Sequence, residues 1–331
     1  MQKNTASTEQ SLAPQPHAKN PTSRTGWLRQ AGVAIGCIAL FIVFSALTPT
    51  FYQPSNLLDI MLQSSINAVI AVGMTLVVMT KGIDLSVGSI VGVSSMIAAS
   101  LLADSPLLGI GAGILVGLTC GLLNGILIAK LKLPDFIVTL GAMSIYRGAA
   151  LIYTDGQPIY SISDSFRATF AGHLLGIPTP VLFALVIAFL AYLLIRFTTL
   201  GEHIIAVGGN EEAARLSGVD VDRVKITVYA LSGMLASIAG FILVARIGAA
   251  EPIGGNGFEL QAIGAAVIGG ASLFGGTGNP LGALIGALTL GAMQNGLTLM
   301  NVPSFWQYVA TGVVVILAVL ADQLTRQSRQ V

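Results

Sequence analysis

From Ile60 to Thr80 the chain carries no charged side chain, and similar stretches recur along its length. Roughly 20 mostly apolar residues, rising about 1.5 Å each in a helix, cross the ~30 Å hydrocarbon core of a bilayer. Ten such intervals can be marked: 29–47, 60–80, 86–103, 107–129, 136–153, 180–197, 226–245, 259–273, 281–300 and 305–321. The eighth is short and glycine-rich. The third begins directly after a charged turn, so it reads as a broken or re-entrant helix.

Composition supports the same class. Only 9% of the 331 residues are charged, against roughly 25% in soluble domains. Lipid offers no partner for backbone N–H and C=O groups, so the apolar intervals must be helices bonded within themselves. The expectation is an all-α membrane protein, and its 39 glycines suit closely packed spans. A net charge of +1 gives no case for nucleic acid. Cys37 and Cys120 lie inside apolar runs and read as free buried thiols. His17, His173 and His203 are far apart, without metal-ligand spacing. No P-loop, nucleophile elbow or paired acid–base carboxylates occur. The glycine-rich 275–280 stretch lacks a lysine and reads as a tight turn, and Gly208–Asn210 reads as a loop before a helix. No catalytic residue, cofactor or metal is expected.

Residues 1–28 are polar and read as a disordered cytoplasmic tail, 29–323 as the membrane domain, and 324–331 as a second cytoplasmic tail. With the N-terminus inside, the cytoplasmic side collects every lysine and arginine except Arg147, Arg167 and Arg246, which satisfies the positive-inside rule. Both termini then face the cytoplasm. An internal repeat is also visible: residues 82–89 resemble 257–264, and 121–136 resemble 291–305. The members of the first pair lie on opposite sides of the membrane, so spans two to five and seven to ten read as an inverted repeat, a common transporter plan.

The scarce charge is concentrated in one loop, 198–225, where Glu211, Glu212, Arg215, Asp220, Asp222, Arg223 and Lys225 crowd together. Within it "NEEAARLSG" predicts a short helix. Asn210 suits the N-cap, Glu211 and Glu212 favour the positive end of the dipole, Ala213, Ala214, Arg215 and Leu216 are good helix formers, and Gly218 suits the left-handed exit. So short a helix is unstable alone and must dock, on its own membrane domain or on a partner.

Polar groups inside spans are costly unless paired or used. Asp84 reads as a cap for the third span or as the organiser of a gate, and Glu259 is its counterpart in the repeat. Arg147 either faces a pathway or snorkels outward. Gln63, Asn67, Asn124, Gln261, Gln294 and Asn295 are candidates for a polar pathway, and equally for hydrogen bonds between helices. Arg246, Glu251 and Asn256, with Asp155, Gln157, Asp164 and Arg167, lie on outer connections within reach of a soluble partner or as solvated loops.

Several long blocks carry a resemblance. "EEAARLSGV" after "TLGEHIIAVGGN" resembles the Glu-Ala-Ala loop of bacterial ABC importer permeases. "NAVIAVGMTLVVMTKGIDLSVGSIVG" (67–92), residues 133–159 and residues 262–297 are similar to the ribose-type branch of sugar permeases. The resemblance runs from about residue 30 to near the C-terminus. It implies a multi-pass subunit of the bacterial inner membrane, paired with a second permease copy or a paralogue and surrounded by lipid. It further implies ABC ATPase subunits in the cytoplasm, which supply the hydrolysis, and a periplasmic sugar-binding protein. Asn210, Glu211, Glu212, Ala213, Ala214, Arg215 and Gly218 would then form the helix that docks on the ATPase. An ion-coupled secondary transporter is the competing class, since it too is built from inverted repeats, but it normally needs carboxylates or histidine inside the membrane.

Overall fold

The computed structural model describes residues 22–327, with side chains described for 35–324. Each apolar interval overlaps a helix, although 269–273 lie beyond the end of the eighth: α1 (Thr22–Leu47), α2 (Pro54–Met79), α3 (Val87–Leu102), α4 (Pro106–Lys130), α5 (Asp135–Tyr153), α7 (Thr179–Phe197), α10 (Val221–Ile247), α11 (Phe258–Ile268), α12 (Pro280–Leu299) and α13 (Ser304–Gln327). Between them lie α6 (Asp164–Ala171), a two-stranded hairpin of β1 (His173–Leu174) and β2 (Ile177–Pro178), α8 (Thr199–Gly209) and α9 (Glu211–Leu216). Among the described residues, six helices, α2, α4, α5, α7, α10 and the Ser304–Leu324 part of α13, are long and apolar enough to cross a membrane. Pro54, Pro106 and Pro280 stand in first turns, where a missing N–H costs nothing.

The helical boundaries extend beyond the apolar runs. α1 begins at Thr22, ahead of its apolar run, and α13 continues past residue 324 to Gln327. The physical reason is that an established helix stops at a breaker, and no proline interrupts either segment. Residues 1–21 and 328–331 lie outside the described residues.

The core is built around α2 and α10, both largely buried. Against α10 lies α4, whose Gly113, Gly117, Gly121 and Gly125 recur every fourth residue on one face. A side chain at these positions would strike Phe241, Gly233, Tyr229 and Ile226 of α10, respectively. Two backbones can approach this closely only where side chains are absent, and in lipid such packing replaces the hydrophobic drive.

Two of the helices on the apolar intervals are too short to span by themselves. α3 has 16 residues and α11 has 11, about 24 and 16 Å of helix against a ~30 Å core. Their first turns meet. Gly88 of α3 packs against Gly255 and the Glu259 carboxylate, and Gly92 packs under the Pro252 and Gly254 carbonyls. The chain between α10 and α11 therefore runs beside α3 before α11 starts. A backbone bridge between Ile159 and Ala250 fixes the start of that connection. Nearby, α6 lies on the helices through Phe166 and Phe170, which pack on Phe241 of α10, and Phe170 also stacks on Phe183 of α7.

Candidate functional site

At the other end of α10 the charged loop forms two helices. α8 is opened by Thr198, whose hydroxyl accepts from Gly201 N at 3.2 Å. It runs through Gly208 and Gly209, so these glycines close a helix instead of forming a loop; Thr198 as a cap was the available signal. Asn210 joins the two helices. Its backbone N–H donates to Ala206 O, which ends α8, and its side-chain oxygen accepts from Ala213 N at 3.0 Å, which starts α9. α9 ends at Gly218, which has φ 87° and donates to Arg215 O, while Val219 N donates to Ala214 O.

Ion pairs hold α9 to the membrane helices. Glu211 pairs with Arg215 at 3.5 Å and with Lys225 of α10 at 2.9 Å. Asp222 receives Arg215 at 3.3 Å, Lys130 at 3.3 Å and Lys132 at 2.8 Å, tying α9 to α10 and to the α4–α5 link. Partial burial pushes the Glu211 carboxyl up, but Lys225 and Arg215 outweigh it and hold it below the ordinary carboxylate range. Ala214 faces inward and is buried, whereas Glu212, Ala213 and Leu216 face solvent. Leu216 is 81% exposed. Sequence reasoning credited Leu216 only with helix formation.

A family model described as "Branched-chain amino acid transport system / permease component" matches residues 56–319. The chain belongs to that permease family. It is 43% identical over 302 residues to the ribose import permease protein of Escherichia coli (strain K12), covering 89% of this chain and 94% of that one. It is 40% identical over 286 residues to the D-allose transport system permease protein of the same organism, covering 85% and 88%. To the L-arabinose ABC transporter permease protein of Azospirillum brasilense it is 37% identical over 306 residues, covering 92% and 90%. No solved structure matches the chain.

Within this permease the polar span residues fall into separate groups. Asp84, fully buried, accepts from Ser86 N at 3.0 Å, from the Ser86 hydroxyl at 2.6 Å and from the Ser232 hydroxyl at 3.2 Å. Asn124 donates to the same Ser86 hydroxyl at 2.8 Å and accepts from Tyr146 at 3.0 Å. Asp84 thus closes the start of α3 and ties it to α4, α5 and α10. Asn67 donates to Gln261 across α2 and α11, leaving its own side-chain oxygen buried and unpaired. Asn295 exchanges two hydrogen bonds with Asn56, at 3.0 and 2.9 Å. Arg147 donates to Asn256 at 2.8 Å. Gln63 and Gln294 are half-buried. None of these candidates lines the cavities at Cys37–Leu288, at Arg167–Arg246 or at Ser64–Val181.

Proposed function

We propose that the chain is the membrane-spanning subunit of an ATP-driven sugar importer. It passes a pentose such as ribose, or a related monosaccharide, from a periplasmic binding protein to the cytoplasm. The similarity to ribose, allose and arabinose permeases over nearly the whole chain carries this reading. The family description names amino acids, but the sugar relatives, at 37–43% identity over nearly the whole chain, are the narrower guide. Those relatives do not favour an ion-coupled transporter.

On this reading the protein sits in the inner membrane with ten spans, as an inverted repeat with both termini inside. It pairs with a second permease copy or paralogue. Separate ATPase subunits hydrolyse ATP, and the permease binds no cofactor. Residues 210–218 dock in the ATPase: Leu216 and Ala213 supply the apolar contact, Glu212 an exposed charge, and the Glu211–Arg215–Asp222 pairs hold the helix in place. Closure of the ATPase dimer shifts α9, and the helical halves rock to expose the sugar path to the other side. Asn67 and Gln261 are the favoured hydroxyl-binding groups of that path, since the unpaired Asn67 oxygen is free to accept.

The test is a gentle-detergent purification of tagged protein with mass spectrometry of what remains bound. An ATPase should co-purify and be lost on Glu212→Lys at equal membrane abundance. Intact protein without an ATPase, with uptake that follows a proton or sodium gradient, would overturn the reading.

A further inference from the structure

The segment just before α9 is pinned to two distant parts of the chain through backbone atoms. Gly208 lies against the last residue of α2 and against the turn between α11 and α12: a methyl group there would overlap the Met79 carbonyl oxygen and the Gly276 amide nitrogen. Those two atoms are bonded to each other, Gly276 N donating to Met79 O at 2.9 Å. Gly275 and Gly276 hold φ of 79° and 76°, conformations that keep the turn flat against Gly208 and that other residues adopt at a cost. The Lys81 stem packs over Gly275, and its Nζ donates to Gly209 O at 3.3 Å.

Each partner leads to a short helix. Met79 and Lys81 open the link that carries Asp84 into α3, and Gly276 lies in the link that leaves α11. The starts of α3 and α11 meet at Gly88 and Glu259. Because backbones in van der Waals contact leave no slack, a displacement of α8–α9 must move both links or break the contact. We propose that Gly208 is a positioning residue for transport. It passes movement of α9 to the α2–α3 and α11–α12 links together, and so to the two short helices. This rests on the reading that α9 docks an ATPase, and goes beyond it: residues 210–218 bind the partner, while Gly208 transmits what the partner does.

Two neighbouring glycines provide the test. Gly209→Ala adds the same methyl group one residue along, keeps its carbonyl, and meets nothing within 4 Å. Full-length variants are expressed with their own ATPase and binding protein. Uptake is measured with radiolabelled ribose, allose or arabinose, whichever the wild type takes up, alongside ATP hydrolysis and co-purified ATPase. Gly208→Ala should retain the ATPase and its hydrolysis yet lose uptake about tenfold or more, the loss expected when movement no longer reaches the path. Gly209→Ala should stay within about twofold. Normal uptake in Gly208→Ala overturns the proposal, as does equal loss in both variants. Should Gly208→Ala fail to insert, Lys81→Asn decides, because Lys81 is exposed and Asn tolerates its φ of 65°. A several-fold fall in sugar moved per ATP supports the proposal, and an unchanged ratio overturns it. A wild-type protein that retains no ATPase overturns the docking reading itself, which separates the two failures.

Discussion

Single side chains decide whether α9 holds its shape and what it presents. Replacing Asn210 with Ala removes the acceptor for Ala213 N and should destabilise the helix by about 1 kcal/mol. The expected outcome is faster proteolysis within 198–225, with unchanged membrane insertion. Leu216 is bare in the isolated subunit. Burying a leucine in an interface is worth about 1.5–3 kcal/mol, so Leu216→Ala should weaken ATPase binding by about tenfold or more; titration of purified ATPase onto the detergent-solubilised permease measures it. Glu211 adds a pH dependence. Its folded pKa is depressed, so its stabilisation is fully present above the ordinary value of 4.5 and is lost as pH falls through the lower folded value. Protection of α9 amides from hydrogen exchange should therefore weaken only at acid pH, and Glu211→Gln should remove the Glu211 part of that dependence, leaving the part below it from Asp222, which Lys132, Lys130 and Arg215 hold down to about 2.

Among helices, separation is set by glycine. Gly121 of α4 faces the Tyr229 carbonyl carbon at 2.9 Å and Ala230 Cα at 3.0 Å from where a Cβ would stand. Backbone cannot swing aside as a flexible side chain can, so Gly121→Leu should cost about 1–3 kcal/mol or more through overpacking. A lower unfolding temperature in detergent would register it. Gly141 in α5 meets nothing within 4 Å, and Gly141→Ala should be neutral or stabilising by up to about 1 kcal/mol. Equal damage from both changes would contradict the role given to the stripe.

For the molecule as a whole, the opposite ends of α10 carry different chemistry. The charged α8–α9 pair lies at its start, and the α6 and hairpin layer at its finish. If the first faces the cytoplasm, Leu175→Cys at the hairpin tip, where Leu175 is 96% exposed, should react with a membrane-impermeant thiol reagent in spheroplasts. Ser217→Cys should react only after permeabilisation. Cys37 and Cys120 are buried and give little background. The reverse pattern would invert the topology.

Much of this was legible in sequence because it depends on local physics. Uncharged runs of span length determined where helices form, since lipid leaves the backbone no other partner. Asn210, the paired glutamates and Gly218 marked α9, because caps and left-handed exits act within a few residues. Recognisable blocks carried the family. What sequence could not decide was which residues meet. Asp84 joins Ser232, 148 positions away, and Gly208 meets Met79 and Gly276. Nor did the sequence show that Leu216 is bare while Ala214 beside it is buried. Burial and long-range contact are set by how helices cross. That packing emerges from all the glycine-lined faces at once, and no single segment encodes it.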